Sequence, residues 1–316
     1  MRPFEPGRVS VLLSVFNGAD YVRESIDSVL SQSYSNFEFL IWDNGSRDET
    51  SSILSSCRDP RIRTEKNRSN QGVFDTLNKA VEQSRGEFLR FWSYDDRMKP
   101  DCLKTEVDFW RSHPEIGMSY CASDRIDGAG RLTRPAPHDA TPTIISPSLA
   151  AQISYYFGSM PGNVSTVMVH RAVLDRVGLF RSMRQAGDFE LWTRISGKYP
   201  IGFIRESLVE VRVHPKQFSL WAGEGVASMR EQKAILRTLF ERLPPDLRSY
   251  ATMYNRRTRH VYFMNYFLRS VLQGDFRTAK GALGELADMD HFFSLFLLWL
   301  VTANGRWFHP KPIYRP

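Results

Sequence analysis

Within its first ~100 residues the chain repeats one pattern four times: a β-rich apolar run, a turn, then apolar residues at helical spacing. Val9-Ser-Val-Leu-Leu-Ser-Val-Phe16 opens the series, bounded by Gly7 and Asn17-Gly18. A run this continuously apolar predicts a central parallel strand buried on both faces. Val22, Ile26, Val29 and Leu30 then place a helix from Tyr21 to about Gln32. Phe37 to Trp42 is the second strand, closed by Asp43-Asn-Gly-Ser46, and Ser46 or Asp48 can cap a helix to about Ser56. Ile62 to Glu65 is a weaker third strand. Val73, Leu77, Ala80 and Val81 form one stripe of a helix over 72–83, and 88–92 is the fourth strand. This alternation predicts a right-handed, mostly parallel sheet with helices on both faces.

The fourth strand ends in two adjacent carboxylates, Asp95 and Asp96, with a helix beginning at Pro100. Ligands of open α/β sheets bind at the carboxyl ends of the strands. Two acids there suit a hard divalent cation carrying a substrate phosphate; the alternative is a pair of solvated loop acids. Beyond that point the pattern gives a helix over 100–113 and a strand over 117–122. The Gly- and Pro-rich stretch 127–147 reads as a long loop of the kind that covers or binds ligands. A strand over 164–169, a short helix over 172–177, a helix from Asp188 to Ile195 and a strand over 201–213 follow. After about residue 222 the pattern turns helical throughout, over 225–242, 246–273, 275–288 and 291–303.

The formal net charge of +7 favours an acidic partner, whether nucleic acid, anionic headgroups or a phosphorylated substrate. No long Lys/Arg run argues for nucleic acid, so none is expected as a partner. Cys57, Cys102 and Cys121 show no metal spacing and read as free thiols of a reducing compartment. The N-terminus lacks the apolar core of a signal peptide, and the longest apolar run, Phe292 to Val301, falls short of the ~20 residues of a spanning helix. A cytoplasmic setting is the expectation.

Seven segments, in order, resemble the inverting family 2 glycosyltransferases of GT-A fold, over about residues 8 to 220. The opening strand with Ser14-Val-Phe16-Asn17 is similar to the family's first strand, and Ser25-Ile-Asp-Ser-Val-Leu-Ser-Gln32 to its first helix. Asp43-Asn-Gly-Ser46 with Asp48-Glu-Thr50 resembles its D-D-G-S-x-D-x-T element. Asn70-Gln-Gly72, Asn78 and Arg85-Gly-Glu87 resemble its N-x-G…N…A-x-G-E/K run. Ser93-Tyr-Asp-Asp96 stands where the family has D-x-D-D. Gly178-Leu-Phe180 with Asp188-Phe-Glu-Leu-Trp-Thr-Arg194 resembles G-x-F…E-D-x-x-L-W-x-R, and Arg212-Val-His214 a downstream R-x-H. Two departures stand out: Ser93 replaces the first Asp of D-x-D, and Gly187 replaces the acid before Asp188.

The resemblance implies a Rossmann-like GT-A catalytic domain over 1–220 and a helical C-terminal appendage over 221–316. It implies a nucleotide-sugar donor, a glycan or lipid-linked acceptor of cell-surface polysaccharide synthesis, and Mg²⁺ or Mn²⁺ held by Asp95 and Asp96. Ser14, Phe16 and Asn17 would line the nucleoside slot, with Phe16 otherwise simple core. Asp43 would accept a hydrogen bond from the base, or else only hold a turn or helix cap. Arg68 would reach a phosphate, or else remain a solvated loop residue, and Asp95 would lie against the donor nucleotide as well as the metal. His214 would bind metal or donor phosphate, or else be a turn histidine before Pro215. Asp188, at a helix N-terminus, is the candidate base, with Glu190 as fallback and a helix cap as the plain alternative.

Two other activities fit a similar sheet. A sugar-phosphate nucleotidyltransferase usually carries a Gly-rich, basic loop after its first strand, where this chain has Asn17-Gly-Ala-Asp20. A non-catalytic nucleotide-sugar-binding protein is made conceivable by Ser93 and Gly187. The apolar stretch Phe292 to Leu300, followed by Arg306, Trp307, Lys311 and Arg315, suits core packing, a homodimer contact or an anionic membrane surface.

Overall fold

The computed structural model describes residues 4–137, 140–217 and 225–288. The expected helix over 291–303, with Arg306, Trp307, Lys311 and Arg315, lies outside the described residues. The described chain divides into two units. One takes in residues up to Ala150, Ser159–Ser182 and Gly187–Pro215; the other Ala151–Gly158, Met183–Ala186 and the chain from Lys216.

The first unit is built on one sheet. Strands β1 (Glu5–Val15), β2 (Phe37–Asp43), β3 (Ile62–Lys66) and β4 (Gly86–Trp92) alternate with helices α1 (Val22–Leu30), α2 (Thr50–Ser55) and α3 (Val73–Gln83). Next come β5 (Arg97–Met98), α4 (Cys102–Ser112), β6 (Met118–Ile126), β7 (Leu132–Arg134) and β8 (Ile144–Ile145), then α5 (Pro147–Phe157), which from Ala151 on is counted with the second unit. A 3-10 turn, Val164–Thr166, leads into β9 (Val167–His170), α6 (Arg171–Val177), α7 (Gly187–Ser196) and β10 (Ile201–Arg212). The order across the sheet is β3-β2-β1-β4-β9-β6-β10-β5, with β7 on β6 and β8 on β10.

Among the described residues, all six strands of five or more residues point the same way, as the apolar runs predict. β1 pairs parallel with β2 and β4, β2 with β3, and β6 with β10. Only the short strands β5, β7, β8 and β9 run against the rest. Every residue of β2 is buried, and Val9, Val11, Leu12 and Leu13 of β1 are wholly enclosed. That is what a strand with covered faces requires. The buried Glu38 of β2 is met there: it accepts from the Ser10 hydroxyl and the Arg85 amide, at 2.7 and 2.5 Å.

Three expectations need correction. The stretch 127–147 is not one loop, because β7 folds back on β6 and β8 pairs with the start of β10. Helix α5 follows at once, in a segment to which the sequence analysis gives no element. The single helix expected over 246–273 is two, broken at Thr258, whose hydroxyl donates back to Tyr254 O at 2.8 Å. Such back-bonding competes with the helical ladder.

The second unit holds α8 (Val226–Glu241), α9 (Pro245–Arg257), α10 (Arg259–Leu272) and α11 (Phe276–Ala287). Met229, Phe263, Met264, Ala282 and Leu286 form its small core. The Glu231 carboxylate collects the amides of Arg184, Gln185 and Ala186 at 2.7–3.0 Å, which explains why that short segment belongs here. Among the described residues no helix is long and apolar enough to cross a membrane.

One interior feature sets a testable cost. Arg90 of β4 and Glu106 of α4 are both fully buried and bonded at 2.7 Å. Burial pushes the Glu106 carboxyl up even against the neighbouring guanidinium. Removing one partner strands a charge, so Glu106→Ala is expected to lose about 3–5 kcal/mol in urea unfolding. The double variant Arg90→Met/Glu106→Leu is expected to recover most of that loss.

Candidate active site

The carboxyl edge of the sheet is organised by the loops after β1, β2 and β4. The loop after β1 turns at Asn17, whose φ of 52° is left-handed, and at Gly18, where a Cβ would come within 2.6 Å of Tyr94 and Val15. Side chains from the loop after β2 hold it. Ser46 Oγ accepts the Asn17 amide at 2.9 Å, Thr50 Oγ1 the Gly18 amide at 2.8 Å, and Asp48 the Ala19 amide at 3.1 Å. In return, Asn17 Oδ1 accepts the Arg47 amide at 2.9 Å. The D-N-G-S-x-D-x-T residues therefore stitch two loops into one rim.

Asp43 lies buried under that rim. It accepts from the Ser46 amide at 2.8 Å and from the Ser51 hydroxyl, with Lys66 Nζ at 3.5 Å. Burial alone would raise its pKa, but these donors win and hold it below the usual range. Asn44 beside it bonds Asn67, Asn70 and Gly72, tying the loop after β3 to the start of α3. Ser14 is half-buried and Asn17 exposed. Phe16 is 36% exposed, so the reading of it as simple core fails. Arg68 is exposed on the loop after β3.

The two acids after β4 have different surroundings. Asp95 is buried; one carboxylate oxygen takes the Ser93 hydroxyl, and the other lies 3.0 Å from His214 Nε2. Asp96 lies deeper. Its Oδ1 accepts the Arg212 amide at 2.9 Å, while its buried Oδ2 has no hydrogen-bond partner among the described residues. Burial first, and Asp95 second, drive its pKa up, against Ser165 and Arg212. The plain alternative of two solvated loop acids is thereby excluded.

Arg212 binds this turn to its neighbours. Nε donates to the Asp95 carbonyl at 2.8 Å, Nη1 to the Asp127 and Gly128 carbonyls at 3.1 and 3.2 Å, and Nη2 to Glu24. The Tyr21 ring covers its guanidinium at 4.7 Å and lies 4.7 Å from the His214 ring. Sequence reasoning singled out the R-x-H segment but gave Arg212 no role. It missed Glu24, Tyr21 and Ser165, whose hydroxyl accepts the Ser93 amide at 3.0 Å. Only Arg212 carried a signal, in its spacing from His214.

Could this turn hold a divalent cation? Among the described residues no group of three or more His, Cys, Asp or Glu side chains is disposed as a metal cage. Asp95 and His214 do offer a carboxylate oxygen and an imidazole nitrogen side by side. Such a pair fits an ion that takes its other ligands from a diphosphate and water.

Asp188 sits in the first turn of α7. Its carboxylate accepts the amide of the next residue, Phe189, at 2.7 Å, a contact within the first turn that leaves a further role open. It is surrounded by protein yet still reached by solvent, and burial pushes its pKa up to about 6. The helix N-terminus offsets part of that rise. Glu190 is bound to Arg194 at 2.8 and 2.9 Å and to Arg181 at 3.1 Å, so it is committed elsewhere. Trp192 packs its ring 5.7 Å from Phe91 of β4, and Phe180 lies 5.1 Å from the same ring. The α7 start lies against Phe74, in the first turn of α3, which itself begins at the carboxyl edge of β3. Asp188 thus belongs to the same edge of the sheet as Asp43 and Asp95.

Comparisons with known proteins agree with this fold. The family model described as Glycosyl transferase family 2 matches residues 10–178. The uncharacterized glycosyltransferase RT0329 of Rickettsia typhi is 27% identical over 214 residues, 66% of this chain and 65% of that protein. The chain thus spans just under two thirds of the length of that relative. TuaG of Bacillus subtilis, whose name assigns it to teichuronic acid biosynthesis, is 35% identical over 103 residues, 32% of this chain and 41% of its own. Among solved structures, S. aureus TarS 1-349 in complex with UDP-GlcNAc superposes with a TM-score of 0.68 at 19% identity, covering 89% of this chain and 81% of that one.

The departure at position 187 has a steric reason. A Cβ there would come within 2.6–2.8 Å of the buried Phe74 ring. Gly187→Ala is expected to push the α7 start off Phe74 and lower turnover about tenfold or more, the scale of a misplaced reacting group. Phe74→Leu in the same chain is expected to restore part of the loss, measured as initial rates.

Proposed function

The chain belongs to glycosyl transferase family 2, and from that membership we propose that it moves a sugar from a nucleoside-diphosphate donor to a hydroxyl of a glycan or lipid-linked acceptor, inverting the anomeric carbon. The supporting observation is the gathering of a rigid two-loop rim, the Asp95–His214 pair and a half-enclosed Asp188 along one edge of one sheet. Membership in a fold does not by itself fix an activity; the chemistry must come from these groups.

Ser14, Phe16 and Asn17 would flank the nucleoside, with the exposed Phe16 ring as its apolar wall. Asp43 would offer a remaining lone pair to a base N–H, and Arg68 would reach toward a phosphate. Asp95 and His214 would hold Mg²⁺ or Mn²⁺, which when bound supplies Lewis-acid neutralisation of the departing diphosphate. Asp96 would act one step back: its bond to the Arg212 amide holds the β10 end, and with it His214, against Asp95. Ser93, in place of an acid, donates its hydroxyl to Asp95 and fixes that carboxylate's orientation. Both departures are therefore accommodated, which favours a working enzyme over a binding protein.

Asp188 would take the proton of the acceptor hydroxyl as its oxygen attacks from the face opposite the leaving group. A base of this kind works only when ionised. Since its pKa is raised to about 6, kcat/KM is expected to fall as pH drops through that value. The same shift means that folding favours the protonated acid. Its stabilising contribution is present below the ordinary carboxylate pKa and lost as pH rises through about 6. Asp188→Asn should therefore cost no stability at neutral pH while lowering kcat about a hundred- to ten-thousandfold. Retained turnover in that variant would remove Asp188 from the role.

Donor binding gives a separate test. UDP-GlcNAc is the first donor to try, given the sugar nucleotide held by the structurally similar TarS. With Mn²⁺ it is expected to raise the melting temperature, because a ligand of the folded state shifts unfolding by mass action. Asp95→Ala should abolish the Mn²⁺-dependent part of that rise; an unchanged rise would refute the metal assignment. A lipid-linked acceptor would bring the protein to the inner face of the cell membrane.

A further inference from the structure

The net positive charge of this chain is not shared between its two parts. Residues 1–224 carry 28 Lys and Arg against 28 Asp and Glu, whereas residues 225–316 carry 14 against 7. The whole formal charge of +7 belongs to the stretch from residue 225 onward. Within that region, α10 and α11 run as consecutive helices joined by Gln273-Gly-Asp275. Their buried sides meet in the small core around Phe263, Met264, Ala282 and Leu286.

The outward sides are unusual for a solvated surface. On α10, Tyr262, Arg269 and Leu272 follow one another at helical spacing, and all three are exposed. On α11, Phe276, Lys280 and Leu283 do the same. Leu272 is 88% exposed and Phe276 70%, and the two flank the connecting turn. The acid at that turn, Asp275, is committed to capping α11 through the Thr278 amide at 3.0 Å. Among the described residues each stripe thus mixes large apolar side chains with a cation and carries no anion. That is the composition of surfaces that lie in the headgroup region of an anionic bilayer: rings and aliphatics enter the acyl boundary while Arg and Lys reach back to phosphates.

We propose that the outer face of α10 and α11 is a docking surface for an anionic lipid bilayer, entered by the Leu272–Phe276 turn and held by Arg269, Arg277 and Lys280. The bilayer is favoured over a second copy of the chain because an excess of like charge opposes self-association and attracts anionic headgroups. The inference stands apart from the transfer reaction: it uses none of the residues at the sheet edge.

The test is sedimentation of the full chain with vesicles of phosphatidylcholine alone, and of phosphatidylcholine mixed with phosphatidylglycerol. Binding to the mixed vesicles only, weakening as salt rises, is expected. Leu272→Ser/Phe276→Ser and, separately, Arg269→Glu/Arg277→Glu/Lys280→Glu should each weaken it by about tenfold or more. Both variants alter exposed positions, and unchanged melting temperatures with an unchanged donor-induced shift would show that they fold. No binding to mixed vesicles, equal binding to both kinds, or variants that bind as the parent does would overturn the proposal. So would a parent dimer that both variants dissolve, with no vesicle binding, since the face would then belong to a second copy.

Discussion

A buried arginine holds the sheet edge together. Arg212 is enclosed, and its donors reach three backbone carbonyls and one carboxylate drawn from the turn after β4, the β6–β7 connection and α1. A guanidinium in such a place is tolerable only when its N–H groups are met in plane, which fixes the groups that meet it. Its own amide fixes Asp96. Four segments distant in sequence are thereby set relative to one another, and His214 is delivered beside Asp95 two residues further along.

That arrangement separates two acids that look equivalent in sequence. Asp95 keeps company with a hydroxyl and an imidazole, so its oxygens remain usable by a ligand. Asp96 is enclosed, with one oxygen on the Arg212 amide and the other without a hydrogen-bond partner among the described residues. Neighbouring positions on a turn point in different directions, and what each meets is decided by β10, more than a hundred residues later.

Much of the fold was legible because its long strands are covered and so must be apolar nearly throughout, as in β2 and the Val9–Val15 part of β1. The positions of Asp43 and Asp95 followed from where those runs stop, and that of Asp188 from where a helix begins. Of the short strands only β9 was foreshadowed, inside the run expected over 164–169; β5, β7 and β8 were not legible. Two residues at Arg97–Met98 or Ile144–Ile145 carry no periodicity, and their pairing is chosen by the partner strand. The break at Thr258 was hidden because apolar spacing continues across it while a hydroxyl disrupts the ladder. Ser165 and Tyr21 gave no signal, since nothing local marks a serine or a tyrosine as a partner for a residue far away.

The short reversed strand β9 has a consequence for how this edge can change. It pairs with β4 only through Phe88, Leu89 and Arg90, so β4 runs on past the last rung of that ladder. Beyond it, the Ser93 amide is met by the hydroxyl of Ser165 instead of by a neighbouring main chain. A seam closed by side chains can be rewritten one codon at a time, whereas a seam closed by backbone can be altered only by refolding. The stretch of this edge beside Ser93 and Ser165 is therefore the part of the sheet most free to diverge while the scaffold stays constant.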